Sequence, residues 1–93
     1  MKEAELERKV VEWCRRHGLL TYKFVSPSSR GVPDRIVICP GGGILFLELK
    51  QPGSKPTALQ LHEIDRLHSA GCKACWSDNY SDIISLLTAF CPR

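Results

Sequence analysis

The sequence predicts an α/β fold, a mixed central sheet flanked by helices in the order α-β-β-β-α-β with a short helix closing the chain. Apolar residues recur at helical spacing near both ends. Two apolar segments flank a Pro-Gly-Gly-Gly run that supplies the positive φ angles of a hairpin. A third helical pattern lies between the last two apolar segments.

From Lys2 to His17, the residues Leu6, Val10, Trp13 and Cys14 mark one helix face, with Arg15 and Arg16 in the last turn and Gly18 as the C-terminal signal. Leu19 to Val25 is aromatic and β-branched and ends in the turn cluster Ser26-Pro27-Ser28-Ser29, so it reads as a strand. Asp34 to Cys39 is the second strand and Ile44 to Lys50 the third. The third is apolar on both faces until its end, which marks a buried central strand. Pro52 to Pro56 is a turn, after which Thr57 caps a helix to Ala70 with Leu59, Ile64 and Leu67 inward and Gly71 closing it. Cys72 to Ser77 is a fourth strand, and Tyr80 to Phe90 is a helix whose apolar face is Ile83, Ile84, Leu86 and Leu87. No repeats or linkers interrupt the pattern, so residues 1–93 read as a single domain.

The 93 residues are 43% hydrophobic and 25% charged, ordinary for a globular chain but near the size at which folding alone becomes marginal. No apolar run approaches the about 20 residues of a membrane span. The opening MKEAELERKVVEW lacks the apolar block of a secretion signal, so the expectation is a cytoplasmic product without a membrane partner. Five cysteines in that setting predict reduced thiols rather than a disulfide framework. Cys72 and Cys75 spell a CxxC, but inside a strand residues three apart face opposite ways, and a structural role is expected. The net charge of +3 is modest, yet its distribution is informative. Between Leu20 and Lys55 the cations are Lys23, Arg30, Arg35, Lys50 and Lys55, and the only acids are Asp34 and Glu48.

A hairpin centred on Gly41 and Gly42 sets Asp34 opposite the Glu48/Leu49 positions. Glu48 and Lys50, two apart, share one face, with Leu47 and Leu49 on the other. Carboxylates at the end of an apolar strand are costly and repel each other unless they share a cation. An oxygen-only set suits Mg²⁺ or Mn²⁺, with the Leu49 main-chain carbonyl a further ligand candidate. Such an ion polarises a phosphate and acidifies an attacking water, while Lys50 stabilises the growing phosphoryl charge or orients that water. The plainer reading of Glu-x-Lys on a strand is a solvated ion pair.

Pro33-Asp34 and Glu48-Leu49-Lys50 match the PD-(D/E)XK nuclease motif, and the αβββαβ order is the restriction-endonuclease-like core of that superfamily. The whole chain resembles the virus-type replication-repair nuclease (VRR-NUC) family, particularly its short stand-alone members, many of them phage-encoded. The likeness runs through a glutamate-bearing first helix, YKFVSPSSRGVPDRIV, the glycine hairpin, FLELKQPGSKPTALQ and LHSAGC. It implies that Asp34, Glu48, Lys50 and Gln60 are site residues, together with a helix-one glutamate. Glu3, which lies nearest the packed helix face, is the first choice for that role, with Glu7 at the margin of the face and Glu5 toward solvent.

The resemblance further implies a Mg²⁺- or Mn²⁺-dependent deoxyribonuclease cutting branched DNA such as Holliday junctions, in the host cytoplasm if phage-encoded. No small-molecule cofactor is expected. Because a junction takes two symmetric cuts and the chain carries one site, a homodimer is expected. Lys23, Arg30 and Lys55 are the candidate phosphate contacts. His17, His62 and His68 have no ligand spacing. The rival readings are a nuclease of flaps or linear duplex, or a DNA-binding module without chemistry.

Overall fold

In a computed structural model that describes residues 1–91, the chain forms seven elements. They are α1 (Glu3–Arg16), β1 (Leu20–Lys23), β2 (Arg35–Ile38), β3 (Ile44–Leu49), α2 (Ala58–Ser69), β4 (Lys73–Ser77) and α3 (Tyr80–Phe90). This is the predicted α/β architecture and element order. The sheet runs β1-β2-β3-β4, antiparallel except for the parallel β3/β4 pair that α2 connects.

Leu6, Val10 and Cys14 repeat every four residues along α1, and all are fully buried. Acids in its first turn and Arg15 and Arg16 in its last suit the helix dipole. The buried face meets Ile83 and Leu87 of α3 and the inward residues Val37, Leu45, Leu47 and Leu49 of the sheet. α2 lies on the other face, packed chiefly on β4. It leaves Leu20, Tyr22 and Ile44 about half exposed on that side.

The hairpin turn differs from expectation by half a step. Gly42 N–H donates to the Cys39 carbonyl, and Gly41 takes a φ of +97° behind Pro40, the pattern of a type II turn. Pairing therefore centres on Gly41, with Ile38 opposite Ile44 and Arg35 opposite Leu47. Continued by one residue, that register sets Asp34 across from Glu48 itself.

Two further expectations are corrected. Leu59 is 46% exposed rather than inward, because Ile64 is the buried residue of α2 while Leu59 sits against the β1–β2 loop at Gly31. Cys39 and Cys91 form a disulfide instead of remaining reduced. The end of β2 and the end of α3 converge in the core and bring their Cα atoms to 5.2 Å, a bridging distance. The link closes a 52-residue separation, for which chain entropy assigns about 4 kcal/mol. Cys72 and Cys75 are not bonded to each other, and burial pushes the Cys75 thiol up to about 11, which disfavours its thiolate.

Candidate active site

Glu48 is the last but one residue of β3, in the middle of the sheet, and is 1% exposed. Its Oε2 accepts from Gln60 Nε2 at 3.2 Å and pairs with Lys50 Nζ at 3.3 Å. Its Oε1 is buried with no hydrogen-bond partner among the described residues. Burial first, and the Asp34 charge second, push the Glu48 carboxyl up to about 7, with Lys50 opposing them.

Asp34 stands one residue before β2, where its carbonyl accepts from Phe24 N–H at 2.8 Å, which ties it to the end of β1. Its Oδ2 accepts from the Leu49 amide at 3.3 Å, so the side chain is held at the end of β3. Lys50 N–H donates to the Ser77 carbonyl, and this fixes the same strand end to β4. The local chemistry of α2 aims Gln60. Thr57 Oγ1 accepts from the Gln60 amide while Gln60 Oε1 accepts from Thr57 N–H, a reciprocal capping box that leaves Nε2 for Glu48.

A cleft of about 160 Å³ at this end of the sheet is lined by Glu3, Glu7, Lys23, Phe24, Val25, Asp34 and Leu49. The structure thus places Asp34, Glu48, Lys50 and Gln60 together, with Glu3, Glu7 and Lys23 on the adjoining wall. Glu3 is exposed, whereas Glu7 is partly covered and bonded to Arg35 Nη1 at 2.7 Å. Arg30 and Lys55 are exposed on the β1–β2 loop and the turn before α2, and neither lines the cleft.

The donor chemistry fits a hard divalent cation. Glu48 Oε1 is a buried acceptor without a donor, and a second carboxylate lies across the ladder from it. Among the described residues no group of three or more His, Cys, Asp or Glu is arranged to hold a metal, so any ion at this pair takes its other ligands from main chain, water or substrate.

Arg35, one cation among several in the sequence, is 7% exposed and bonded to both Thr21 and Glu7. The signal was available. In DRIVIC, Arg35 alternates with Val37 and Cys39 on the inward face, so its charge had to be buried.

Gly31 shapes the same region. It sits at φ +81°, and a Cβ there would fall 2.9 Å from Leu59 Cγ and 3.0 Å from the Leu59 carbonyl oxygen. Gly31→Ala is expected to destabilise the fold by about 2–4 kcal/mol, through left-handed strain plus a clash with backbone. Gly53→Ala, at φ +89° with nothing within 4 Å among the described residues, should cost only the strain. Thermal unfolding of the two variants in chelator checks the difference, and equal losses would remove the packing role of Gly31.

No protein-family profile matches the chain. A protein of Acyrthosiphon pisum secondary endosymbiont phage 1, described as putative nuclease p44, is 45% identical over 89 residues, which cover 96% of this chain and 95% of that one. A solved structure described as a VRR_NUC domain superposes with a TM-score of 0.87 at 27% identity, over 97% of this chain and 98% of its own. A second, described as a VRR_NUC domain protein, gives 0.82 at 22% identity over 97% and 88%, and bears on the fold alone.

Proposed function

Because the chain belongs to the VRR-NUC nuclease family, we propose that it is a Mg²⁺- or Mn²⁺-dependent endonuclease that hydrolyses phosphodiester bonds in branched DNA such as Holliday junctions. The observation that carries the reading is Glu48 Oε1, a buried oxygen with no partner among the described residues, opposite Asp34, which itself lines the cleft. In this reading Asp34, Glu48 and the Leu49 carbonyl hold the cation. When bound, the ion supplies Lewis acidity at the phosphate and a lowered pKa for water.

The protein's own groups do the rest. Gln60 fixes Glu48 by bonding the oxygen that Lys50 also faces, so the other oxygen stays committed to the cation. Lys50, mostly shielded from solvent at 16% exposure, meets the charge that develops on the phosphoryl oxygens or orients the attacking water. Lys23, on the cleft wall, contacts a flanking phosphate, with Arg30 and Lys55 farther along the strand. One chain carries one site, and two symmetric cuts call for a twofold homodimer. The half-exposed Leu20, Tyr22 and Ile44 supply apolar surface that a second copy would cover.

The test is a cleavage panel on matched junction, flap, single-stranded and linear DNA with Mg²⁺, Mn²⁺ or chelator, with solution mass measured with and without junction. Metal-dependent junction cutting by a dimer is expected. Preference for flaps or linear duplex would overturn the substrate, a monomer on junction DNA would overturn the dimer, and binding without cleavage would leave a DNA-binding module.

A further inference from the structure

Arg35 is a charged residue on the core-facing side of β2, and its guanidinium reaches two other elements. Nε donates to Thr21 Oγ1 of β1 at 3.0 Å, and Nη1 donates to Glu7 Oε2 of α1 at 2.7 Å. The Arg35 side chain is 8% exposed and that of Glu7 26%. The pair is therefore largely withdrawn from water, with Arg35 at the buried end and Glu7 toward the cleft.

Stapling α1 to the sheet does not require this arrangement. A buried ion pair recovers little beyond its desolvation cost, and apolar residues of similar volume commonly serve as well or better. Val37, the next inward residue on β2, does such packing beside it at 0% exposure. What the guanidinium adds is direction. Its planar fork, held at Nε by Thr21, presents Nη1 along one line, so the Glu7 carboxylate has one favoured place. That place is on the wall of the cleft that Asp34 and Leu49 also line. Glu3 lines the same cleft but is exposed, and among the described residues nothing restrains it in this way.

We propose that Arg35 is a positioning residue that fixes Glu7 on the cleft wall and, through Glu7, sets how tightly the Asp34/Glu48 site takes a divalent cation. The inference rests on the metal-site reading above. It makes Glu7 the helix-one carboxylate that matters to the site, and Thr21 the residue that orients its holder.

Calorimetric titration of the full chain with Mn²⁺, without DNA, tests it in the parent and in Arg35→Met, Arg35→Lys, Thr21→Val, Glu7→Gln and the Glu7→Gln/Arg35→Met double variant. Melting temperatures in chelator report folding separately. Arg35→Met is expected to weaken Mn²⁺ binding about 10–100-fold, the usual effect of disturbing the groups that surround a metal's own ligands. Arg35→Lys keeps the charge without the fork and should restore part of the affinity. Thr21→Val should cost about fivefold. With Glu7→Gln already present, Arg35→Met should change Mn²⁺ affinity no further.

Unchanged affinity in Arg35→Met, or the same loss with and without Glu7, overturns the inference. If Arg35→Met does not fold, Arg35→Lys and Thr21→Val decide it by the same criteria. Asp34→Asn, titrated alongside, separates the two levels. Should it bind Mn²⁺ like the parent, the metal-site reading fails and this inference with it. Should it lose binding while the Arg35 variants keep theirs, only the role of Arg35 fails.

Discussion

Asp34→Asn and Glu48→Gln are each expected to lower metal-dependent cleavage by at least about 10³-fold, the largest effects anticipated for any single change in this chain. Each keeps the shape of the side chain and removes half the negative charge available to a cation. That charge sits where water cannot replace it, since Glu48 is 1% exposed at the centre of the sheet. Because the two carboxylates act on one ion, the double variant should be little worse than either single one. Lys50→Ala should lose about 10²–10³-fold in the chemical step and keep its Mn²⁺ binding, because its role is charge stabilisation or water orientation rather than ligation. Single-turnover cleavage with saturating metal, paired with Mn²⁺ titration, separates these outcomes. Cleavage by Asp34→Asn at the parental rate would show that the centre is elsewhere.

How much of this was legible in the sequence follows from how local each signal is. The strand ILFLELK reads as central because both faces are apolar, and Leu45, Leu47, Glu48 and Leu49 are indeed buried. The capping chemistry of Thr57 and the alternation that joins Glu48 to Lys50 are equally local, so they too could be read directly. Register was read to within half a step, because the glycine run permits several turns and Gly42 bonding back to Cys39 selects one of them. Leu59 departs from the helical stripe for a different reason. Helical spacing says which residues share a stripe, but the docking of Leu59 on Gly31 depends on where a loop some 28 residues earlier comes to rest. The Cys39–Cys91 bridge was likewise invisible, since cysteine count and the lack of a secretion signal speak to compartment, whereas convergence of the ends of β2 and α3 is a property of topology. The bond from Arg35 to Glu7 spans 28 residues and three elements, beyond the reach of any sequence pattern, although the burial of Arg35 could be read from alternation.

In the absence of metal, the protein is expected to lose stability as pH rises from about 5 to 8, and Glu48 is the reason. Its folded-state carboxyl titrates at about 7 against an ordinary 4.5, chiefly because burial penalises the charge and secondly because Asp34 repels it. Between those values the folded chain holds a proton that the unfolded chain has released, so each step up in pH favours unfolding. The penalty is absent below about pH 4.5, grows through the interval, and is complete above about pH 7. At about 1.4 kcal/mol per unit it reaches on the order of 3 kcal/mol, a large part of what holds a domain of this size together. Glu48→Gln removes the titration while keeping an acceptor for Gln60, so in chelator it should be more stable than the parent at pH 8 and lose that advantage by pH 4.5. Subtracting the two stability curves cancels the histidines and the other carboxylates, which both proteins share. Adding Mn²⁺ at pH 8 should close the gap from the other side, because the ion binds the ionised Glu48 of the parent and stabilises only that protein. Below pH 7 the ion must displace the proton, so its affinity should fall by up to about tenfold per pH unit. A difference between the curves that stays flat from pH 4.5 to 8 would mean that Glu48 is charged throughout. In that case its buried, unpartnered oxygen would already be satisfied without a cation, and the argument for a metal at this strand end would lose its physical basis.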